Sequence, residues 1–369
     1  MMRQKTRFVC VSDTHGYTPS EAGFRLPAGD VLIHAGDLTN QGSKSELRKT
    51  MGWIAAADYE VKIVVCGNHD ITLDEAFYAE NKARFHNKIP EDSQECMEVV
   101  TGASSSIVFL KHQSAFVRLS KSNGPNTVFK VFGSPYSQCD GNWAFLYESD
   151  RAEEIWRQIP SDTDIVVTHM PPHFHCDKIS GTSMGCRALN HNLNRVRPLL
   201  AVCGHIHESR GYERVRWPTV PLLSGLDEAE SLEGEVSKGI LPPPGSKKQS
   251  LVDLTGKRAP RLDNDGFAVG MDASSLTALF PPSQDFVVLP PQGHRADQAT
   301  EFSPSYPTEA QDSDVERLSP QRKETCIVNA AIMATNWPHR GGRKFYPGPI
   351  VVDLELPGWR ENSTFPTST

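Results

Sequence analysis

Between Phe8 and His207, five apolar runs each break off at a residue that can bind a metal or move a proton. Phe8–Val11 leads to Asp13-Thr14-His15, and Val31–His34 leads to Gly36-Asp37. Val61–Cys66 leads to Gly67-Asn68-His69-Asp70, Ile165–Thr168 to His169, and Leu199–Cys203 to Gly204-His205-Ile206-His207. The runs are short and rich in β-branched residues, so each reads as a buried strand. In open α/β sheets, sites form in the crevice beyond the carboxyl ends of the strands. One such motif alone is an ordinary turn. Five in order bring carboxylates, imidazoles and an amide to a single sheet edge.

The residue types indicate the chemistry. Imidazole, carboxylate and amide oxygen together suit borderline or hard divalent metals such as Mn, Fe, Zn or Ni; ligand preference overlaps among these, and Mn is the expectation we adopt. On an extended segment Asp13 and His15 point to the same side and can grip one ion. His205 and His207 share that spacing, although a turn there sends them to different ions. Gly36, Gly67 and Gly204 allow sharp turns close to the ions. Two ions about 3.5–4 Å apart clamp the attacking and leaving oxygens of an in-line displacement and activate a water.

Helical stretches separate these strands. Ser43–Ala57, with Ser43 or Ser45 as N-cap, Leu73–Phe85 and the shorter Asp150–Gln158 have helical spacing. Strands alternating with helices give an α/β layer architecture. Ile107–Leu110, Ala115–Leu119 and Val128–Phe132 read as consecutive strands of a second, partly antiparallel sheet. The texture changes near Trp217. Thirteen of the 27 prolines fall between Pro218 and Pro320, and proline resists both helix and inner strand. We therefore divide the chain into a main body at 1–217, a long Pro-rich insertion at 218–322 expected to be mostly disordered, and returning strands at 323–369. Within the insertion, Asp285–Leu289 is apolar enough to be a docking motif. Thr325–Met333 and Ile350–Leu356 have strand character and are expected to return as a hairpin that closes the second sheet.

Charge and cysteine content limit the partners. A formal net charge of −7 and a pI near 6.0 argue against bulk nucleic-acid binding, which needs a basic face. No apolar run approaches the roughly 20 residues that span a bilayer, and no apolar segment with a cleavage site follows the basic start. The eight cysteines form no CxxC pair. The expectation is a reduced, cytoplasmic protein, with free thiols at Cys10, Cys66, Cys203 and Cys326 acting as small hydrophobes. Cys176 and Cys186 are read as free thiols too.

The ordered set Asp-x-His, Gly-Asp, Gly-Asn-His-Asp, His and Gly-His-x-His resembles the calcineurin-like metallophosphoesterase superfamily. The similarity is closer to its small metallophosphoesterase-domain (MPPED-like) group. That closer match lies in Gly133-Ser134-Pro135, Pro171-Pro172, Gly185-Cys186, Arg195-Val196-Arg197-Pro198, Gly204-His205-Ile206-His207-Glu208 and Val328-Asn329-Ala330. It covers roughly residues 6–215 and 324–357. The resemblance implies a four-layer αββα sandwich and a site with assigned roles. Asp13, His15, Asp37 and His207 would hold one metal. Asp37 would bridge to a second, also held by Asn68, His169 and His205. His69 would stabilise the transferring phosphoryl group or protonate the leaving oxygen, and Asp70 would hold His69 in orientation. Related Ser/Thr protein phosphatases carry an arginine shortly after the Gly-Asp. Here that stretch is Leu38-Thr39-Asn40-Gln41-Gly42, which marks down protein phosphatase.

Other residues are weighed for roles around this centre. Asn68, His173 and His175 are candidate substrate contacts; for the two loop histidines, solvated positions are equally expected. Tyr136, Asn142 and Trp143 are candidates for the substrate mouth, with core packing the alternative for Trp143. His34 is read as a strand-end histidine, and Arg187, Arg195 and Arg197 as helix-surface charges. The functional expectation is a phosphohydrolase acting on small phosphodiesters such as cyclic nucleotides. The alternatives are a phosphomonoesterase, or a nucleotide-binding scaffold that recruits proteins through the insertion.

Overall fold

The computed structural model describes residues 3–138, 141–218, 234–242, 246, 248–264, 280, 284–290, 322–335 and 342–359. Strand alternation builds its layers. In the strand Arg3–Val11, Phe8 and Cys10 face the gap between two sheets, whereas Val9 and Val11 face helices. The first sheet runs in the order Ser250–Asp253, Ile350–Pro357, Arg3–Val11, Val31–Ala35, Val61–Val65, Ile107–Phe109. The second has Glu235–Lys238, Gly211–Arg216, Glu324–Asn329, Leu200–Cys203, Ile165–Thr168, Val128–Ser134, Gln113–Arg118, Phe286–Val288. Ile33, Ile63 and Val65 meet Val131, Val167 and Val202 between the sheets.

Helices cover the outer faces. Lys44–Ala56 starts in a capping box formed by Ser43 and Glu46, and lays Leu47, Met51 and Ile54 on the first sheet. Arg187–Val196 lays Leu189, Leu193 and Val196 on the second. The result is the expected αββα sandwich. Because the central strands are buried on both faces, they read as continuous apolar runs and were visible from sequence.

Two strand placements differ from expectation. Ile107–Phe109 belongs to the first sheet, parallel to Val61–Val65; the chain crosses to the second sheet only at Leu110–His112, where His112 is left-handed. The two C-terminal strands do not form a hairpin. Glu324–Asn329 enters the second sheet beside Leu200–Cys203, and Ile350–Pro357 pairs antiparallel with Arg3–Val11 in the first. The chain passes between the sheets at Ala330–Ile332, where both partners of the Ser12 backbone lie.

Three of the described stretches of the 218–322 segment are also built into the sheets. Phe286–Val288, the piece read as a docking motif, pairs with Ala115–Val117 of this same chain. Glu235–Lys238 and Ser250–Asp253 add two further edges, and Leu254 and Leu262 enter the core between the sheets. The remainder of that segment lies outside the described residues. Removing residues 222–320 is therefore expected to lower the melting temperature, by roughly 5 °C once the released chain entropy offsets part of the lost burial. Calorimetry checks this, and an unchanged melting temperature would mean that the three edge strands contribute nothing.

No helix among the described residues is long and apolar enough to cross a membrane. The seven described cysteines are free and buried, Cys176 and Cys186 among them.

Candidate metal centre

The five strand ends meet. Three groups of side chains bring their ligand atoms within 4.8 Å of one another: Asp13, His15 and His207; His15, Asp37 and His69; and Asp13, Asp37 and His169. The two oxygens of Asp37 face different partners. Oδ2 lies 3.6 Å from His15 Nε2, and Oδ1 lies 3.3 Å from His169 Nε2. On one side, His207 Nε2 is 3.4 Å from Asp13 Oδ1 and 3.5 Å from His15 Nε2. On the other, Asn68 Oδ1 is 3.0 Å from His169 Nε2. Two atoms each about 2.1 Å from one ion lie roughly 3–3.5 Å from each other, so these spacings suit shared ions.

The hydrogen bonds at the far side of each ring strengthen that fit. His169 Nδ1 is 3.0 Å from the Ala35 carbonyl, and His207 Nδ1 is 2.9 Å from the Thr335 carbonyl. A carbonyl can only accept, so each Nδ1 carries a proton, and each ring in its neutral form turns a bare Nε2 inward. There His169 Nε2 faces oxygens of Asn68 and Asp37, and His207 Nε2 faces Asp13. A carboxylate against a bare ring nitrogen, as in the Asp37–His169 and Asp13–His207 pairs, needs a cation between them, a proton or a metal. Burial pulls the His169 pKa down, yet the charge of Asp37, and after it that of Asp13, lifts it to about 9. Burial would raise Asp13, but the His207 hydrogen bond and charge bring it down to about 2.

The backbone is bent to make this convergence. Asp13, His15, Asp37 and His205 have φ of 57°, 45°, 52° and 65°. Left-handed non-glycine residues cost free energy and cluster at functional sites. Two loops hold each other in that shape: the Asp13 N–H donates to Gly36 O, His15 N–H to Asp37 O, and Gly16 N–H to Leu38 O. Asp13 and His15 thus converge through a turn rather than along an extended segment. His205 also sits on a turn. Its N–H donates to Asp13 at 3.1 Å while its ring faces that of His169 at 5.0 Å. At Gly36, φ is +98°, and a Cβ there would overlap the His169 ring and lie 2.9 Å from Cys66 O. At Gly67 a Cβ would overlap the Asp37 carboxylate.

His69 stands at the rim. Its Nδ1 is 2.8 Å from Asn40 O, so the Nδ1–H donates and Nε2 is free for chemistry. Its ring lies against Trp143, with centroids 4.1 Å apart, and edge-on to His15 at 4.7 Å. Asp70 does not orient it. The Asp70 carboxylate accepts from Leu38 N–H (3.1 Å), Thr39 N–H (2.9 Å), the Thr39 hydroxyl (2.7 Å) and Gly67 N–H (2.8 Å). It fastens the Gly36-Asp37 loop to the Gly67-Asn68 loop, and Asn40 does the orienting. Burial first, then the Asp37 charge, push its pKa up to about 7 against the pull of those donors.

The loop residues divide. His173 lines a pocket that His205 also lines, with its Nδ1 3.1 Å from Gly185 O. His175 is not at the site: it is fully buried, 3.0 Å from Glu213, because the Cys176 turn swings it beneath the loop toward Trp217. Trp143 both packs and faces the site. Tyr136 packs against His112 and Phe145, and the Asn142 amide donates to Asn81. Arg195 and Arg197 hold backbone carbonyls of Ile159 and Pro218. Buried His34 meets the Thr14 hydroxyl at 3.0 Å, a side chain rather than the backbone.

Sequence reasoning missed the supports. Thr335 and Asn40 act through carbonyls, which leave no mark in a sequence. Asn329 left one: it is an amide at the end of an apolar run, and its Nδ2 reaches the carbonyls of Cys176, Gly204 and Ile206, fixing the His205-His207 loop.

Comparison with known proteins agrees with this geometry. Residues 6–209 match the family described as calcineurin-like phosphoesterase. Human "Metallophosphoesterase domain-containing protein 1" is 38% identical over 213 residues, 56% of this chain and 62% of that protein. A UPF0046 protein of Caenorhabditis elegans is 30% identical over 220 residues, 57% of this chain and 72% of that one. An Emericella nidulans protein named "Probable rhamnogalacturonate lyase C" is 41% identical over 223 residues, 58% of this chain but 19% of that protein. The chain thus spans less than two thirds of the first relatives it matches.

Proposed function

The chain belongs to the calcineurin-like phosphoesterase family, and we propose that it is a metal-dependent phosphohydrolase acting on small phosphodiesters, cyclic nucleotides among them. The observation that carries the reading is the Asp37 carboxylate, one oxygen turned to His15 and the other to His169. Asp13, His15, Asp37 and His207 would hold one ion, and Asp37, Asn68, His169 and His205 the second. When bound, such ions act as Lewis acids and supply an activated water. Mn is our first choice, and the cytoplasm our proposed compartment.

The chain's own residues do the rest. The ring bonds to Ala35 O and Thr335 O keep His169 and His207 in the ligating tautomer. His69, held by Asn40 O and braced by Trp143, presents Nε2 to the phosphoryl group or the leaving oxygen.

The test crosses Mn²⁺, Fe²⁺, Ni²⁺, Zn²⁺ and Mg²⁺ with p-nitrophenyl phosphate, its bis ester, and 2′,3′- and 3′,5′-cyclic nucleotides. We expect the diesters to give the higher kcat/KM. His69→Gln should keep its metals and lose about 10²- to 10⁴-fold in kcat. Two metals bound per chain, with no turnover anywhere on the grid, would instead favour a protein that only binds nucleotides.

A further inference from the structure

Among the described residues, four large hydrophobic side chains stand exposed: Ile89, Ile179, Met184 and Ile240. Ile179 at 38% and Met184 at 47% line one and the same pocket, a cavity of about 660 Å³. His205, Ile206, Met170 and His173 line it as well. The cavity therefore runs from a ligand-bearing strand end to two apolar side chains held in water. Single exposed apolar residues are normal on any surface. Two of them converging on a void that touches the metal centre form a recognition wall.

The wall is held in place. Lys178–Ile179 pairs with Thr182–Ser183 in a tight hairpin that turns through Ser180 and Gly181, at φ of 50° and 88°. At its base, the buried Asp177 carboxylate accepts from Phe174 N–H at 3.1 Å, Gly185 N–H at 2.8 Å and the Ser183 hydroxyl. At its tip, the Ser180 N–H donates to Glu208 at 3.0 Å, and where its first strand begins the Ser209 hydroxyl donates to Lys178 O at 2.7 Å. Glu208 and Ser209 directly follow His207, so the hairpin is fastened to the segment that carries two of the ligands. A preorganised apolar wall loses little entropy on binding, and a methionine in it adapts to the shape it meets.

We propose that this hairpin selects the substrate: Ile179 and Met184 pack against the organic group of a phosphoester whose phosphate lies among the ligand residues, favouring a flat aromatic group over a small alkyl one. The cavity volume falls in the usual range for sites that enclose such a group. The inference rests on the phosphoesterase reading above.

Phosphonates test it without turnover, because their C–P bond is not hydrolysed. The metal-loaded protein and an Ile179→Ser/Met184→Ser double variant are titrated calorimetrically with methylphosphonate and 1-naphthylphosphonate. Both substitutions are at exposed positions, so the variant keeps its fold. We expect wild type to bind the naphthyl compound at least about tenfold more tightly than the methyl one. The double variant should lose most of that preference while its methylphosphonate affinity stays the same. Equal affinities in wild type, or a preference that survives in the variant, would overturn the wall while leaving the metal-centre reading standing. If neither phosphonate binds either protein, the two readings fall together.

Discussion

Asp37→Asn is expected to abolish turnover, by at least about 10³-fold in kcat, while the protein stays folded. Asparagine has nearly the same volume and tolerates the left-handed φ of 52° at this position. Its amide oxygen can still accept the His69 N–H, which Asp37 Oδ1 now takes at 3.0 Å. What disappears is the charge shared between His15 and His169. A neutral amide offers one good ligand atom where a carboxylate offers two, so the variant can serve one side of the centre but not both. Metal content measured after gel filtration should fall below two ions per chain. A chelator should lower the melting temperature of wild type, because metals bound only by the folded state stabilise it by mass action. The same chelator should move the variant much less. Full turnover in Asp37→Asn would remove the bridging carboxylate from the mechanism.

How much of this was legible in the sequence depended on how local each signal was. The strand ends bearing Asp13, Asp37, Asn68, His169 and His205 were legible because an apolar run and its polar stop lie side by side. Sheet membership was not. Ile107–Phe109 is only three residues long, too short for its pattern to name a partner, and its place is set by Val61–Val65 some forty residues earlier. Ile350–Pro357 was recognisable as a strand, but nothing local shows that it pairs with the start of the chain rather than with Glu324–Asn329. The edge strands Glu235–Lys238 and Ser250–Asp253 are short, polar and set among prolines, the features that also mark irregular chain. The helix Arg187–Val196 entered the sequence reading only as the carrier of surface arginines, without bounds, because its Asn and His residues mask the apolar positions Leu189, Leu193 and Val196. At the site, adjacency misled. Asp70 follows His69 in sequence, but the turn sends its carboxylate back toward Gly67 and across to Leu38 and Thr39.

That geometry makes Asp70→Ala a destabilising change rather than a purely catalytic one. The carboxylate is fully buried and satisfies three backbone N–H groups and one hydroxyl. Alanine leaves those donors without partners and out of reach of water. Each unsatisfied buried donor costs about 1–3 kcal/mol, and with partial relaxation the sum is on the order of 4 kcal/mol. For a chain of this size that corresponds to a fall of roughly 10 °C in melting temperature. Asp70→Asn keeps one oxygen but turns an NH₂ toward N–H donors, so it should lose an intermediate amount. Because the same carboxylate ties the Asp37 loop to the Asn68 loop, both variants should also bind metal more weakly. If Asp70 instead worked by orienting His69, Asp70→Asn would melt like wild type, keep both metals and lose kcat alone. Differential scanning calorimetry together with metal analysis separates the two, and the hydrogen bonds of Asp70 place the loss in stability.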